Sequence, residues 1–171
     1  MAIEGDLSLI LEQERVLQFD CFDLGSAWEL GSLLRQMASA AGHGVAIDIQ
    51  INGMPAFYAA LPGSVPDNAH WIRRKRNVTA RLGHASYAVG LGLALEKRTL
   101  AEKSGLDDAD YAAHGGSFPI VVRGVGCIGT VTVSGLPQRE DHKMVVKALA
   151  DMIGIDGHSL DLDGPVPVLG D

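Results

Sequence analysis

The dipeptide Asn52-Gly53 constrains this chain more than any other feature, because it separates two runs with the spacing of strands. Val45, Ile47, Ile49 and Ile51 alternate with Ala46, Asp48 and Gln50, which turns one face to a core and the other to solvent or a partner. Asn-Gly tolerates the positive φ angles of a type I′ turn, so Met54 to Ala60 is predicted to fold back antiparallel. Pro55 cannot donate to a ladder, which places the return strand's start at an edge or a strand end. A second ribbon is predicted downstream. Phe118, Ile120 and Val122 alternate, a glycine turn follows, and Val131 and Val133 then alternate with Thr130, Thr132 and Ser134. Gly124-Val125-Gly126-Cys127-Ile128-Gly129 has the spacing of a dinucleotide fingerprint. That motif needs a helix directly after the glycines, and here a strand follows, so the segment reads as a hairpin turn.

Two hairpins imply a mostly antiparallel sheet covered by helices, an α+β fold. Ile3, Leu7, Ile10 and Leu11 predict an amphipathic N-terminal helix, and Val16-Leu17-Gln18-Phe19 a short strand. Asp23 is placed to cap a helix whose apolar stripe runs Ala27, Leu30, Leu33, Leu34, Met37 and Ala41, with Gly42 as its stop. Asp67 is the expected cap of a helix running toward His84. Ser86 to Leu95 alternates large and small residues and is read as a helix whose small side permits close packing. Lys103 to Ala113 reads as a turn. Pro137 opens a last helix with Val145, Val146, Leu149 and Ile153 as its core stripe, and Gly154 ends it. Beyond it the chain, with Pro165-Val166-Pro167, is expected to be an arm against a neighbour or a loose tail.

A length of 171 residues is the usual size of one domain, expected to span 1–171. A net charge of −7 argues against general nucleic-acid binding, which needs an excess of Lys and Arg over phosphate. No run approaches the roughly 18 apolar residues of a membrane span, and Met1 to Gln13 is unlike a secretory signal, so a cytoplasmic protein is expected. Cys21 and Cys127 lie in strand-like runs and are read as small core residues rather than a disulfide or zinc knuckle.

Candidate chemistry gathers in two places. His114-Gly115-Gly116-Ser117 is a glycine loop where the backbone can approach a ligand or a neighbouring strand closely. Asn68, Trp71, Ile72, Lys75 and Thr79 share one helical face, so an amide, an aromatic ring and an amine meet. Trp71 and Lys75 would stack a flat ligand and pair with its carboxylate, or else serve as a core tryptophan and a snorkelling lysine. Asp141 and His142 lie on the last helix, with His142 on the face of Val145, Val146 and Leu149 and read as a hydrogen-bonded boundary residue. No Gly-x-Ser-x-Gly elbow accompanies Ser117 or Ser134, and none of the six histidines has ligand spacing, so neither a catalytic set nor a metal site is assigned. The basic run Arg73 to Arg76 is spread over a helical turn and is read as a solvated face.

His114-Gly115-Gly116-Ser117-Phe118-Pro119-Ile120, the later Ile128 to Gln138 with Asp141-His142, and Asp67-Asn68-x-x-Trp71-Ile72-x-Arg74-Lys75 together resemble a bacterial and fungal subgroup of the haem-degrading-domain family. The resemblance runs from about Phe19 to Ile153. Wider relatives, which share less of the pattern, include HbpS-type haem-binding proteins, GlcG-type proteins and the C-terminal part of some corrinoid adenosyltransferases. The resemblance implies a profilin-like antiparallel sheet of about five strands flanked by helices, assembly into closed homo-oligomers, and binding or breakdown of haem or another tetrapyrrole. Three readings follow. The first is a small-ligand-binding homo-oligomer whose pocket holds a flat or anionic molecule near His114, Gly115, Gly116, Ser117, Asn68, Trp71, Lys75, Asp141 and His142. The second is a non-catalytic oligomeric adaptor, and the third a haem-degrading enzyme with His114 or His142 as iron ligand or proton donor.

Overall fold

The computed structural model describes residues 2–169. Its elements in chain order are α1 (Ala2–Val16), α2 (Leu24–Ala41), β1 (Ala46–Ile51), β2 (Met54–Ala60), α3 (Pro66–Leu82), α4 (Ser86–Glu96), α5 (Leu100–Ser104), β3 (Ser117–Val122), β4 (Gly126–Ser134) and α6 (Gln138–Ile153), with a 3-10 turn at Gly157–Leu160. The strands form one antiparallel sheet in the order β2-β1-β4-β3.

Both predicted ribbons are present. Asn52 and Gly53 take φ of 51° and 77°, the two positive angles that a type I′ turn demands. The sheet has four strands rather than about five, because Val16 ends α1 and only Phe19 of the predicted first strand reaches the sheet, through a parallel bridge to Val122. α1 takes Val16 as its last residue, and Leu17 and Gln18 belong to neither helix nor strand, which leaves too little of the run to form a strand.

The sheet's two faces differ in chemistry. Ile47, Ile49, Val131, Val133, Phe118 and Ile120 point into the main core together with Leu30 and Leu34 of α2 and Val145 and Leu149 of α6. The opposite face carries Asp48, Thr130, Thr132, Ser117 and Ser134, all buried, and α3 covers it. The face of β1 expected to meet solvent or a partner thus meets α3, and Arg76 Nη1 donates to Asp48 Oδ2 at 3.1 Å. The layer between α3 and the sheet is polar, which is what brings ionisable groups inside.

Asp23 caps α2 with a reciprocal pair of bonds to Ser26, and Gly42 closes it in the left-handed conformation. Asp67 does not cap α3. The N-cap residue is Val65, whose side chain makes no cap bond; Asn68, at the third helical position, accepts from Val65 N at 2.7 Å, while Asp67 accepts from Trp71 Nε1 at 3.1 Å. Cys21 and Cys127 are exposed, not core residues, since Cys21 lies in the connection before α2 and Cys127 in the uncovered first residues of β4. The C-terminal segment packs on its own chain. Leu160 and Leu162 are buried, and Gly164 O accepts from Arg139 Nη1 at 2.7 Å. Among the described residues, no helix is long and apolar enough to cross a membrane.

Candidate functional site

The polar layer opens at the Ser134 end of β4. There Asn68, Trp71, Lys75, His114, Gly115, Ser134, Gly135, Leu136, Gln138 and Asp141 line a cleft of about 300 Å³. The floor is a buried ion pair. Lys75 Nζ donates to Asp141 Oδ2 at 3.1 Å, to Val133 O at 2.7 Å and to Gly115 O at 3.0 Å. Asp141 also accepts from Leu136 N at 2.9 Å and Gly135 N at 3.4 Å. Burial lowers the Lys75 pKa and raises that of Asp141, and their mutual attraction opposes both shifts. All three ammonium protons already have acceptors. Within the chain, Lys75 ties the glycine loop to β4 and α6, and its amine neither faces open solvent nor snorkels out to it.

The paired glycines serve the same tie. A Cβ on Gly116, whose φ is +131°, would stand 2.4 Å from both Lys75 Nζ and Val133 O, and one on Gly115 would stand 2.2 Å from Gln138 O. Only glycine lets the loop pass between the lysine and the start of α6. Gly115 N then donates to Gln138 Oε1 at 3.0 Å.

The groups that face outward are different ones. His114 is exposed at the rim, and its ring meets Trp71 edge-on with centroids 5.2 Å apart. Arg74 lies over the Trp71 ring at 4.8 Å and donates to Asp108 O. Loss of water on the inner side of His114, then the positive charges of Arg74 and Lys75, lower its pKa, with Asp108 opposing. The imidazole is neutral at pH 7, and among the described residues no side chain hydrogen-bonds it. The cleft thus offers an aromatic face, a neutral imidazole and a nearby guanidinium, with its one carboxylate already satisfied.

The structure brings Asn68, Trp71, Lys75, His114, Gly115 and Asp141 together as expected, with Gly116 just beneath them. Ser117 and His142 lie elsewhere. Ser117 is fully buried, its N donating to Ser86 Oγ and its Oγ accepting from Thr132 Oγ1 at 2.9 Å. His142 is also fully buried, on the core side of α6 between Tyr87 and Phe118. Successive helix residues point about 100° apart, so Asp141 and His142 could not share a site. Leu136, Gln138 and Arg74 are not singled out as site residues by the sequence, and Ser134 is weighed there only as a nucleophile, although all lie within the stretches that carry the resemblance.

The run Arg73 to Arg76 is not a solvated face throughout. Arg73 pairs with Asp110 at 2.9 Å, Lys75 is buried and Arg76 reaches into the polar layer. Among the described residues, no group of three or more His, Cys, Asp or Glu is placed to hold a metal ion.

The sequence model of the family described as haem degrading protein HbpS-like matches residues 22–150. A UPF0303 protein of Rhizobium etli is 59% identical over 162 residues, 95% of this chain and 98% of its own length. The crystal structure of the Ybr137w protein superposes with a TM-score of 0.80 at 33% identity, covering 86% of this chain and 87% of that one. The PduOC:Heme complex shares the fold, with a TM-score of 0.65 at 16% identity over 76% of this chain and 94% of its own.

Proposed function

Because the chain belongs to the HbpS-like haem-degrading protein family, we propose that it is a ligand-binding protein whose cleft holds a small, flat, anionic molecule beside Trp71 and His114, and that it acts as a homo-oligomer. The observation that carries this reading is the division of labour in the cleft. Lys75 and Asp141 satisfy each other and the backbone, while the Trp71 face and the His114 ring are left for a ligand. An aromatic surface favours a planar molecule, and a guanidinium with a neutral imidazole favours one rich in acceptors.

Haem is the second ligand to test, since PduOC is described as a haem complex. His114 fits as a single neutral imidazole, the form that ligates iron. The walls do not fit a macrocycle. Trp71 and Leu136 are the only large apolar side chains in a lining otherwise made of amides, a hydroxyl, an imidazole, glycines and the Lys75–Asp141 pair. A volume of about 300 Å³ also stands at the lower end of small-molecule pockets. No step of haem breakdown is assigned to this chain, and binding ranks ahead of catalysis.

The test uses Trp28→Phe protein, so that Trp71 is the only tryptophan. Titration with 2-naphthoate, benzoate and haemin, followed by tryptophan emission and by the Soret band, separates the cases. Saturable quenching by an aromatic carboxylate, lost in His114→Ala, supports the reading. A Soret shift with haemin alone would replace it with a tetrapyrrole site, and no saturation with any of them would overturn it.

A further inference from the structure

A second surface, which shares no lining residue with the cleft, has the form of a peptide groove. β2 is an edge strand of the sheet, and its exposure is much greater than that of β1. The other edge, β3, is partly covered, because Phe19 N donates to Val121 O and Arg123 N to Phe19 O, both at 2.9 Å. No described segment covers β2 in this way. Natural edges are usually blunted by lysines, prolines or bulges. Here Pro55 and a register shift opposite Gln50 blunt only the turn end, and Ala56-Phe57-Tyr58-Ala59-Ala60 carries no charge at all. The bond from Leu61 N to Val45 O sets the alternation of the ladder, so Tyr58 and Ala60 turn their amide and carbonyl groups outward.

Beside this edge runs one stripe of α2. Trp28, Ser32, Arg35, Gln36 and Ser39 recur at helical spacing and, with Phe57, Tyr58 and Ala59, line a groove of about 710 Å³. Gly31 lets the groove floor form: a Cβ there would lie 2.3 Å from the Phe57 ring, which packs against α2 and meets Trp28 with centroids 5.8 Å apart. Trp28 is 66% and Tyr58 52% exposed. Arg35 is the only charged residue in the lining, and it has no ion-pair partner among the described residues of a chain whose net charge is −7.

We propose that this groove binds an extended peptide segment of another protein as a fifth strand on β2, with apolar side chains against Trp28 and Phe57 and a carboxylate on Arg35. Main-chain bonds from an open edge supply affinity in such additions, and a flanking helix supplies selectivity. The charge decides between occupants. β2 of a second copy has no acidic residue, so pairing the two edges would leave Arg35 unmatched, whereas a segment with an acidic side chain or a free C-terminus matches it.

The test uses fluorescein-labelled heptapeptides of Thr alternating with Val, Leu or Phe, each made with a free C-terminal carboxylate and as the amide, in anisotropy titrations of the full chain. Saturable binding is expected for the carboxylate, roughly tenfold weaker for the amide and for Arg35→Gln protein, as loss of one charge-assisted bond implies. Gln36→Trp, at an exposed position, fills the groove and abolishes binding while leaving the melting temperature unchanged. N-methylating alternate residues of the probe abolishes binding in one parity and not in the other, the signature of a strand ladder. Failure of all the peptides to bind saturably, or binding indifferent to both Arg35→Gln and amidation, overturns the proposal. A wild-type oligomer that dissociates with Gln36→Trp assigns the groove to a second copy instead and also overturns it.

Discussion

Acidification should destabilise this protein through His142, and the size of the effect follows from its surroundings. His142 is fully buried, and its Nε2 lies 2.8 Å from Gln13 Oε1. Gln13 Nε2 donates to Leu160 O at 2.7 Å, so Oε1 is the acceptor and His142 carries its proton on Nε2. Nδ1 has no partner among the described residues. A second proton there would be a buried, unpaired donor facing Tyr87, Phe118 and the positive charge of Arg139. Burial first, and Arg139 second, push its pKa down to about 3. A depressed folded-state pKa contributes stability that is present above the unfolded value and lost as pH falls through the window between the two. With an unfolded pKa of about 6.5, the linkage relation gives a loss of about 2 kcal/mol between pH 7 and pH 5, and about 3 kcal/mol by pH 4. Urea unfolding of wild type and His142→Gln at each pH measures this as a difference of slopes, in which carboxylate contributions common to both cancel. Wild type should lose about 2 kcal/mol more than the variant by pH 5. Equal slopes, or an NMR titration of His142 in the folded protein with a midpoint near 6.5, would refute the reasoning.

The remaining predictions concern the cleft and the edge strand. Lys75→Met strands Asp141 in the interior and should cost about 3–5 kcal/mol by urea unfolding, whereas a loss under about 1 kcal/mol would show that the pair is not buried as described. Gly116→Ala meets Lys75 Nζ and Val133 O at 2.4 Å in a positive-φ conformation, and should lower the melting temperature by several degrees, roughly what 1–3 kcal/mol produces at this size. His114→Ala removes an exposed side chain and should change stability by no more than about 0.5 kcal/mol while removing ligand binding. A large fall in its melting temperature would make the histidine structural. Gly31→Ala should displace the Phe57 ring and abolish binding of the extended peptide, with Phe57→Ala in the same background restoring the melting temperature but not the binding.

The parts of the fold legible in the sequence were those set by local chemistry. Asn52-Gly53 prescribed its turn, Gly42 its helix stop, and the Thr-Val alternation of β4 its two faces. What stayed hidden depended on what packs where. Thr130, Thr132 and Ser134 look like a solvent face until α3 lies over them, and no local pattern shows that Lys75 is only 2% exposed. Asp67 looks like a cap, but α3 begins earlier, at Pro66, so Asp67 and Asn68 both lie inside its first turn. The candidate site was partly legible because its residues share the motifs that carry the resemblance. Its logic was not, since the apparent ligand-binding lysine already has three acceptors supplied by segments 40, 58 and 66 residues away.

The measurement that bears most directly on the cleft is an NMR titration of the His114 imidazole in the full chain with 2-naphthoate. Saturable shifts of its ring protons should accompany quenching of Trp71 in Trp28→Phe protein, with one dissociation constant, while the His142 resonance stays still behind its core wall. Shifts that never saturate, or that appear equally at His142 and the other histidines, would contradict a ligand site between Trp71 and His114.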